Sequence, residues 1–243
     1  MENTAFVALS RQNALGRQLS VVANNIANMN TTGFKGEKMM FVEHLVRSRG
    51  GDRILGPKLA YVRDIATMRD TTEGPLVTTG NPFDLAIRGD GYFVVETDKG
   101  DRYTRNGRFR LDDEGQLVTS KGDPVLSDNG NPFVFGPGDE NVTISRDGTV
   151  STKNGQLGKI RVVSFENQQQ SQVAAGGLLS SQAPAEDVER PDLVQGALEG
   201  SNVQPVIEMA EMIRVQRSYD SVKKFIERED DRIKRMVRDL GES

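Results

Sequence analysis

Few side chains in this sequence could do chemistry, and those few are poorly placed for it. His44 is the single histidine. It lies in Phe41-Val42-Glu43-His44-Leu45-Val46, and no G-x-S-x-G elbow elsewhere supplies a nucleophile for it to activate. The chain has no cysteine, which excludes thiolate catalysis, thiolate metal sites and disulfides. Two acidic turns, Asp112-Asp113-Glu114-Gly115 and Asp128-Asn129-Gly130, hint at calcium. Neither offers the alternating oxygen ligands and closing glutamate of a calcium loop, so both read as ordinary turns. Carboxylate pairs of the glycosidase kind depend on spatial geometry, and no pair stands out by spacing. The phosphate-cradling patterns G-x-G-x-x-G and G-x-x-x-x-G-K-[ST] are absent. The residues therefore point to a chain with no catalytic, cofactor-binding or metal-ligating set, and not to an enzyme.

The elements that would have to position a site suggest a different purpose. The 243 residues suffice for one mid-sized domain with extensions, but only 36% are hydrophobic, which implies that part of the chain lacks a core of its own. A net charge of -4 argues against nucleic acid or an anionic membrane as the main partner, since both need a basic face. No apolar run approaches the ~20 residues of a membrane span, so no direct membrane insertion is expected. The N-terminus lacks the basic start and the apolar h-region of a cleavable signal.

The two ends resemble each other. Residues 1–35 read as an N-terminal helix, with Met1, Ala5, Ala8, Leu15, Leu19, Val22, Ile26 and Met29 at alternating steps of three and four and Gln12 the one polar interruption. Asn30-Thr31-Thr32-Gly33 is the stop signal, with Gly33 suited to a left-handed conformation. Residues 201–243 read as a C-terminal helix capped by Ser201 or Asn202, with Pro205 in the first turn. Its stripe is Met212, Val215, Tyr219, Val222, Ile226, Ile233, Met236 and Leu240, broken at Glu229. Asp220 to Lys224, Asp230 to Lys234 and Asp231 to Arg235 place acid four residues before base.

Between the helices, residues 36–74 are expected as an extended connector and residues 75–200 as a central β domain with its own connector, Gln168–Gly200. Strand candidates are Ala86-Ile87, Tyr92–Val95, Phe109–Leu111, Gln116–Thr119, Val142–Ile144 and Ile160–Val163. Turns are expected at Asp90-Gly91, Lys99-Gly100, Asn106-Gly107, Glu114-Gly115, Asn129-Gly130, Asp147-Gly148 and Asn154-Gly155. The fold class is α+β: long N- and C-terminal helices pairing as a coiled-coil-like arm, with a central all-β, hairpin-rich domain. The helices either pair within one chain or wait for neighbouring chains, because isolated helices are marginal in water.

Three segments then resemble a known family. Ala23-Asn24-Asn25-Ile26-Ala27-Asn28-Met29-Asn30-Thr31-Thr32-Gly33-Phe34-Lys35 resembles the N-terminal signature of bacterial flagellar rod, hook and hook-associated axial proteins. Gly89-Asp90-Gly91-Tyr92-Phe93, Tyr103-Thr104-Arg105-Asn106-Gly107 and Gly115-Gln116-Leu117-Val118 are similar to the β-domain pattern of the rod and hook group. Leu198-Glu199-Gly200-Ser201-Asn202-Val203, with Glu208-Met209, Met212-Ile213 and Gln216-Arg217-Ser218-Tyr219-Asp220, resembles the C-terminal signature. Together they span nearly the whole chain in the family's order. Length, the opening Ala8-Leu9-Ser10-Arg11-Gln12 and the charged tail Phe225–Arg232 are most similar to the proximal rod branch. The distal rod branch shares all three signatures, and the hook protein usually has a larger middle.

The resemblance implies a structural subunit of the flagellar basal-body rod, a self-assembling axial protein that transmits torque across the periplasm for swimming. It implies export through the flagellar type III apparatus without a cleaved signal, and no cofactor. The partners implied are other rod subunits in a helical assembly, the membrane-ring and export-gate base, and the surrounding rings. The expected assembly interface is Leu15, Leu19, Val22, Asn24, Asn25, Ile26, Asn28, Met212, Val215, Tyr219, Val222, Ile226, Ile233 and Met236. Asn24, Asn25, Asn28 and Asn30 are either a solvated face and cap, or amides bonded between subunits. Two other classes fit the elements less well. A carbohydrate-binding or hydrolytic β module would use exposed aromatics, and this chain has no tryptophan and 6% aromatics. The other is a non-flagellar coiled-coil adaptor.

Overall fold

The computed structural model describes residues 2–47, 58–139, 141–174, 177–181 and 183–241. The protein is α+β. Its chain divides into two compact units, one made of residues 1–27, 37–69 and 204–243 and one of residues 28–36 and 70–203.

The first unit contains helix α1 (Glu2–Ala27), strands β1 (Glu37–Arg47) and β2 (Lys58–Arg69), and helix α2 (Pro205–Gly241). The apolar positions at steps of three and four give α1 and α2 a face each, and those faces pack together within the chain. Ala8, Ala14, Val22 and Val215 are buried in this unit, where α1 also packs on β1 and β2. Met1 lies outside the described residues, as do the side chains of Ala5 and Leu240. Gln18 Nε2 donates to Glu211 Oε1 across the pair at 2.8 Å. On the outer face of α2, Asp230 and Lys234 pair at 2.5 Å as their spacing predicts, while Arg235 Nε donates to the Asp231 carbonyl.

The stretch 36–74 is not a free connector. Most of its described residues form an antiparallel ribbon in which Glu37 faces Arg69 and Arg47 faces Lys58, with a register irregularity after Met40. Neither strand alternates cleanly or is dense in β-branched residues, and the breakers between them, Gly50-Gly51 and Gly56-Pro57, fit a loose connector as well as a hairpin. Residues 48–57 of the expected connector lie outside the described residues. Helix α2 also starts later than expected. Gln204 accepts the amides of Ile207 and Glu208 at 3.1 Å, so neither Ser201 nor Asn202 is its cap.

The second unit is β-rich. Its strands are β3 (Leu76–Thr78), β4 (Leu85–Arg88), β5 (Tyr92–Val95), β6 (Arg102–Thr104), β7 (Phe109–Leu111), β8 (Leu117–Thr119), β9 (Thr143–Ile144), β10 (Thr149–Thr152), β11 (Gly155–Lys159), β12 (Val162–Ser164), β13 (Gln172–Val173), β14 (Leu179–Ser180), β15 (Glu186–Asp187), β16 (Asp192–Gln195) and β17 (Ala197–Glu199). The largest sheet among the described residues runs β13-β14-β6-β5-β12-β15, bounded at each edge by a strand of two residues. The core gathers Leu85, Phe93, Phe109, Leu117, Val125, Ile160 and Leu193, with Phe93 and Phe109 edge to face at 5.1 Å.

The segment Gln168–Gly200, expected as a connector, supplies five short strands among its described residues. Two of them close the unit, β16 against β4 and β17 against β3. At four and three residues they are too short to show a period, and their partners define them. Most glycine turns form with positive φ, but Asn106-Gly107 does not. Gly107 is needed there for close approach, because a Cβ would lie 1.7 Å from the Leu85 carbonyl oxygen.

Candidate functional site

The expected interface residues fall into three groups. Val22, Asn25 and Val215 are buried inside the first unit. Leu15, Leu19, Ile26, Met212, Tyr219, Val222 and Ile226 are half-buried, as is Asn28 in the second unit. Asn24, Ile233 and Met236 are exposed. Much of the stripe on each helix is thus already covered by the same chain. Asn25 is the sharpest case. Its Nδ2 donates to the Glu37 carbonyl at 2.8 Å and its Oδ1 accepts the Glu37 amide at 2.9 Å. A buried amide must be satisfied, and here the first residue of β1 satisfies it within the chain.

A second apolar face on α2 was not foreseen. Val206, Met209 and Ile213 are 76%, 49% and 54% exposed. Two helical residues are turned by about 200°, so Ile213 points almost opposite to Val215, which is 1% exposed against α1. The spacing of three and four was visible in the sequence, but it overlaps the inward stripe and blurs it. On α1, Phe6 and Leu9 are also exposed, three residues apart.

The second unit holds a buried charge cluster that sequence reasoning missed. Glu199, at the end of β17, is 1% exposed. Its Oε1 accepts from Lys35 Nζ at 2.6 Å and from the Gly74 amide at 2.9 Å. Its Oε2 accepts from Arg105 Nε. Lys35 Nζ also donates to the Thr72 carbonyl at 2.7 Å. The Arg105 guanidinium donates to the carbonyls of Gly91, Ile87 and Gly89 at 2.5, 2.9 and 2.6 Å. Burial by itself would push the Glu199 carboxyl up. The adjoining Arg105 charge, with hydrogen bonds from Lys35, Arg105 and Gly74, outweighs it and holds the group below the usual carboxylate range.

The backbone around the cluster is equally tied. The Gly33 amide donates to the Glu199 carbonyl at 2.8 Å. Gly33 has φ of +68°, and a Cβ there would meet the Arg105 backbone at 2.5 Å. Asn202 Oδ1 accepts the Gly36 amide at 2.8 Å, and its Nδ2 donates to the carbonyls of Asp70 and Thr72 at 2.9 and 3.0 Å. The acidic turn at Asp112 spends its carboxylate on its own backbone, accepting the Glu114 and Gln116 amides.

Three family models match in order along the chain. Residues 7–35 match the flagella basal body rod protein model. Residues 86–152 match the flagellar hook protein FlgE/F/G D1 domain. Residues 194–239 match the flagellar basal body rod FlgEFG protein C-terminal model. The flagellar basal-body rod protein FlgF of Caulobacter vibrioides is 39% identical over 244 residues, covering 99% of each chain. The chain belongs to the flagellar basal-body rod protein family. The FlgF of Rhizobium meliloti is 31% identical over all of both chains, and the FlgG of Bacillus subtilis is 31% identical over 98% of each. As a member of this family the chain is a structural rod subunit of the flagellum. Each of the three matched family segments contributes one member of the buried cluster: Lys35 from the first, Arg105 from the second and Glu199 from the third.

Proposed function

We propose that this chain is a proximal-rod subunit whose two helices form a coiled-coil-like arm and enter a helical stack of rod subunits. The observation that carries the reading is the unpartnered apolar face of α2, Val206, Met209 and Ile213, on a helix already packed against α1 on its other side. A helix apolar on two sides has use for two neighbours. Head-to-tail contacts between unlike surfaces give an open helix rather than a closed ring, which suits a rod. Similarity to FlgF over the whole length favours the proximal position.

The same reading places the subunit between the membrane-ring and export-gate base and the next rod segment, inside the surrounding rings and within the periplasm, where it passes torque outward. No reaction or cofactor is part of this role. The buried Ala8, Ala14 and Val22 make α1 an integral part of its unit, which favours export without removal of that helix. The test is complementation. An epitope-tagged copy in cells lacking their own FlgF should restore swimming and appear in purified basal bodies, with peptides from the first ten residues present. Restored swimming only in cells lacking FlgG would move the subunit to the distal rod, and tagged protein absent from basal bodies would end the reading.

A further inference from the structure

The Lys35–Glu199–Arg105 cluster joins segments far apart in the chain. Lys35 and Glu199 are separated by 164 positions, and Arg105 and Glu199 by 94. Among the described residues, Glu199 is the one carboxylate within ion-pair distance of either cation. All three side chains are nearly dry, at 7%, 1% and 5% exposure. A buried cation without its partner is costly, far more so than a lost surface pair. The unit therefore carries two buried positive charges that only the last strand of its chain, β17, can compensate. That strand also holds the backbone, since β17 pairs with β3 and its Glu199 carbonyl receives the Gly33 amide. Residues 28–36 and 200–203, which lead to α1 and to α2, are tied to each other at the same place through Gly36 and Asn202.

We infer that Glu199 is the keystone of a three-charge clasp: the β-rich unit closes only when the segment bearing Glu199 joins it, and the two chain ends leading to the helices are fixed in that same step. Until then Lys35 and Arg105 repel closure, so an incomplete unit stays open instead of forming a stable partial fold. Glu199 is a positioning residue. It acts by making burial of two cations possible.

The test uses the full chain and reads amide exchange site by site. In Glu199→Gln, protection should fall about 100-fold or more at the clasp amides Gly33, Gly36 and Gly74. It should fall by a similar factor at the core amides Leu117 and Ile160, because closure of the whole unit is at stake. Adding Lys35→Met to Glu199→Gln should restore at least half of the lost protection on a logarithmic scale, while Lys35→Met alone lowers it. A merely local contact would behave otherwise, since removing a second partner would only add to the loss. If Glu199→Gln fails to fold, folding of the double variant supports the clasp, and failure of both overturns it. Core protection unchanged in Glu199→Gln, or no restoration by Lys35→Met, also overturns it.

Discussion

Ile213 and Val215 sit two residues apart on α2 and make opposite predictions. Val215 is buried against α1, while Ile213 is 54% exposed on the other side with Val206 and Met209. Full burial of a large aliphatic side chain contributes about 1.5–3 kcal/mol, so the exposed part of Ile213 leaves about 1 kcal/mol to be gained in a contact. The three residues together leave roughly 3–4 kcal/mol per subunit, a factor of a few hundred in association. Ile213→Asp removes its share and sets a carboxylate in an interface that would be dry, at a further cost of several kcal/mol. Association should fall about 1,000-fold or more. In the separate subunit the new carboxylate sits in water, so the unfolding transition should move by less than about 1 kcal/mol. Val215→Asp should instead open the helix pair itself, with loss of amide protection along α1 and α2 in the monomer. The assays are complementation in cells lacking the native copy, immunoblots of purified basal bodies, and amide exchange of each purified variant. Wild-type amounts of Ile213→Asp in basal bodies, with normal swimming, would refute the assignment of this face to assembly.

Other outcomes follow from single contacts. Asn25→Leu leaves the Glu37 amide and carbonyl without the side chain that satisfies both, and should cost about 1–3 kcal/mol, read as faster exchange at Glu37 and a lower midpoint for the helical unit. Gly33→Ala adds a methyl against the Arg105 backbone at positive φ and should destabilise the β unit by about 2 kcal/mol or more, whereas Gly16→Ala, whose nearest neighbour is Tyr219 at 3.9 Å, should stabilise α1 by about 0.5–1 kcal/mol; denaturant melts separate the two. Because the carboxyl of Glu199 lies below its ordinary value of 4.5 in the folded protein, its contribution is present above that value and is lost as pH falls through the folded value. The β unit should therefore melt progressively more easily below about pH 4.5, and the acid slope should be shallower in Glu199→Gln than in the parent chain.

Much of this fold was legible because some signals are local. The helices announced themselves by steps of three and four, and Asn129-Gly130, Asp147-Gly148 and Asn154-Gly155 marked turns of the β unit. Strands β4, β5, β7, β8, β9 and part of β12 lie where short apolar runs suggested. The ribbon of β1 and β2 was missed because the breakers between its strands, Gly50-Gly51 and Gly56-Pro57, suit a loose connector as well as a hairpin, so only the pairing itself identifies the strands. Strands β13 to β17 were missed because runs of two to four residues are too short to show a period, even where Leu193, Ala197 and Leu198 are buried. The charge cluster shows the same limit from the side of function. Lys35, Arg105 and Glu199 all stand inside the family signatures, yet nothing in a linear pattern says which charges meet. The reading of Ser201 and Asn202 as helix caps erred for a related reason. Both are good capping residues, but Asn202 is engaged by Gly36, Asp70 and Thr72, and the Ser201 hydroxyl accepts the Val203 amide.

The two short borders of the six-stranded sheet bear on a hazard peculiar to proteins made to polymerise. A subunit crowded among copies of itself can add to the wrong surface, and an open sheet edge is the surface most prone to it. Here β13 and β15 offer two residues each, too little backbone to template another strand. On the β15 side Glu186 and Asp187 are both exposed; Asp187 pairs with Arg161 at 2.7 Å, so Glu186 supplies the charge that two copies meeting there would set against each other. Growth along the sheet is thereby discouraged at both borders. A variant that extended either border with uncharged β-branched residues would be expected to precipitate during expression, even with every helix contact intact.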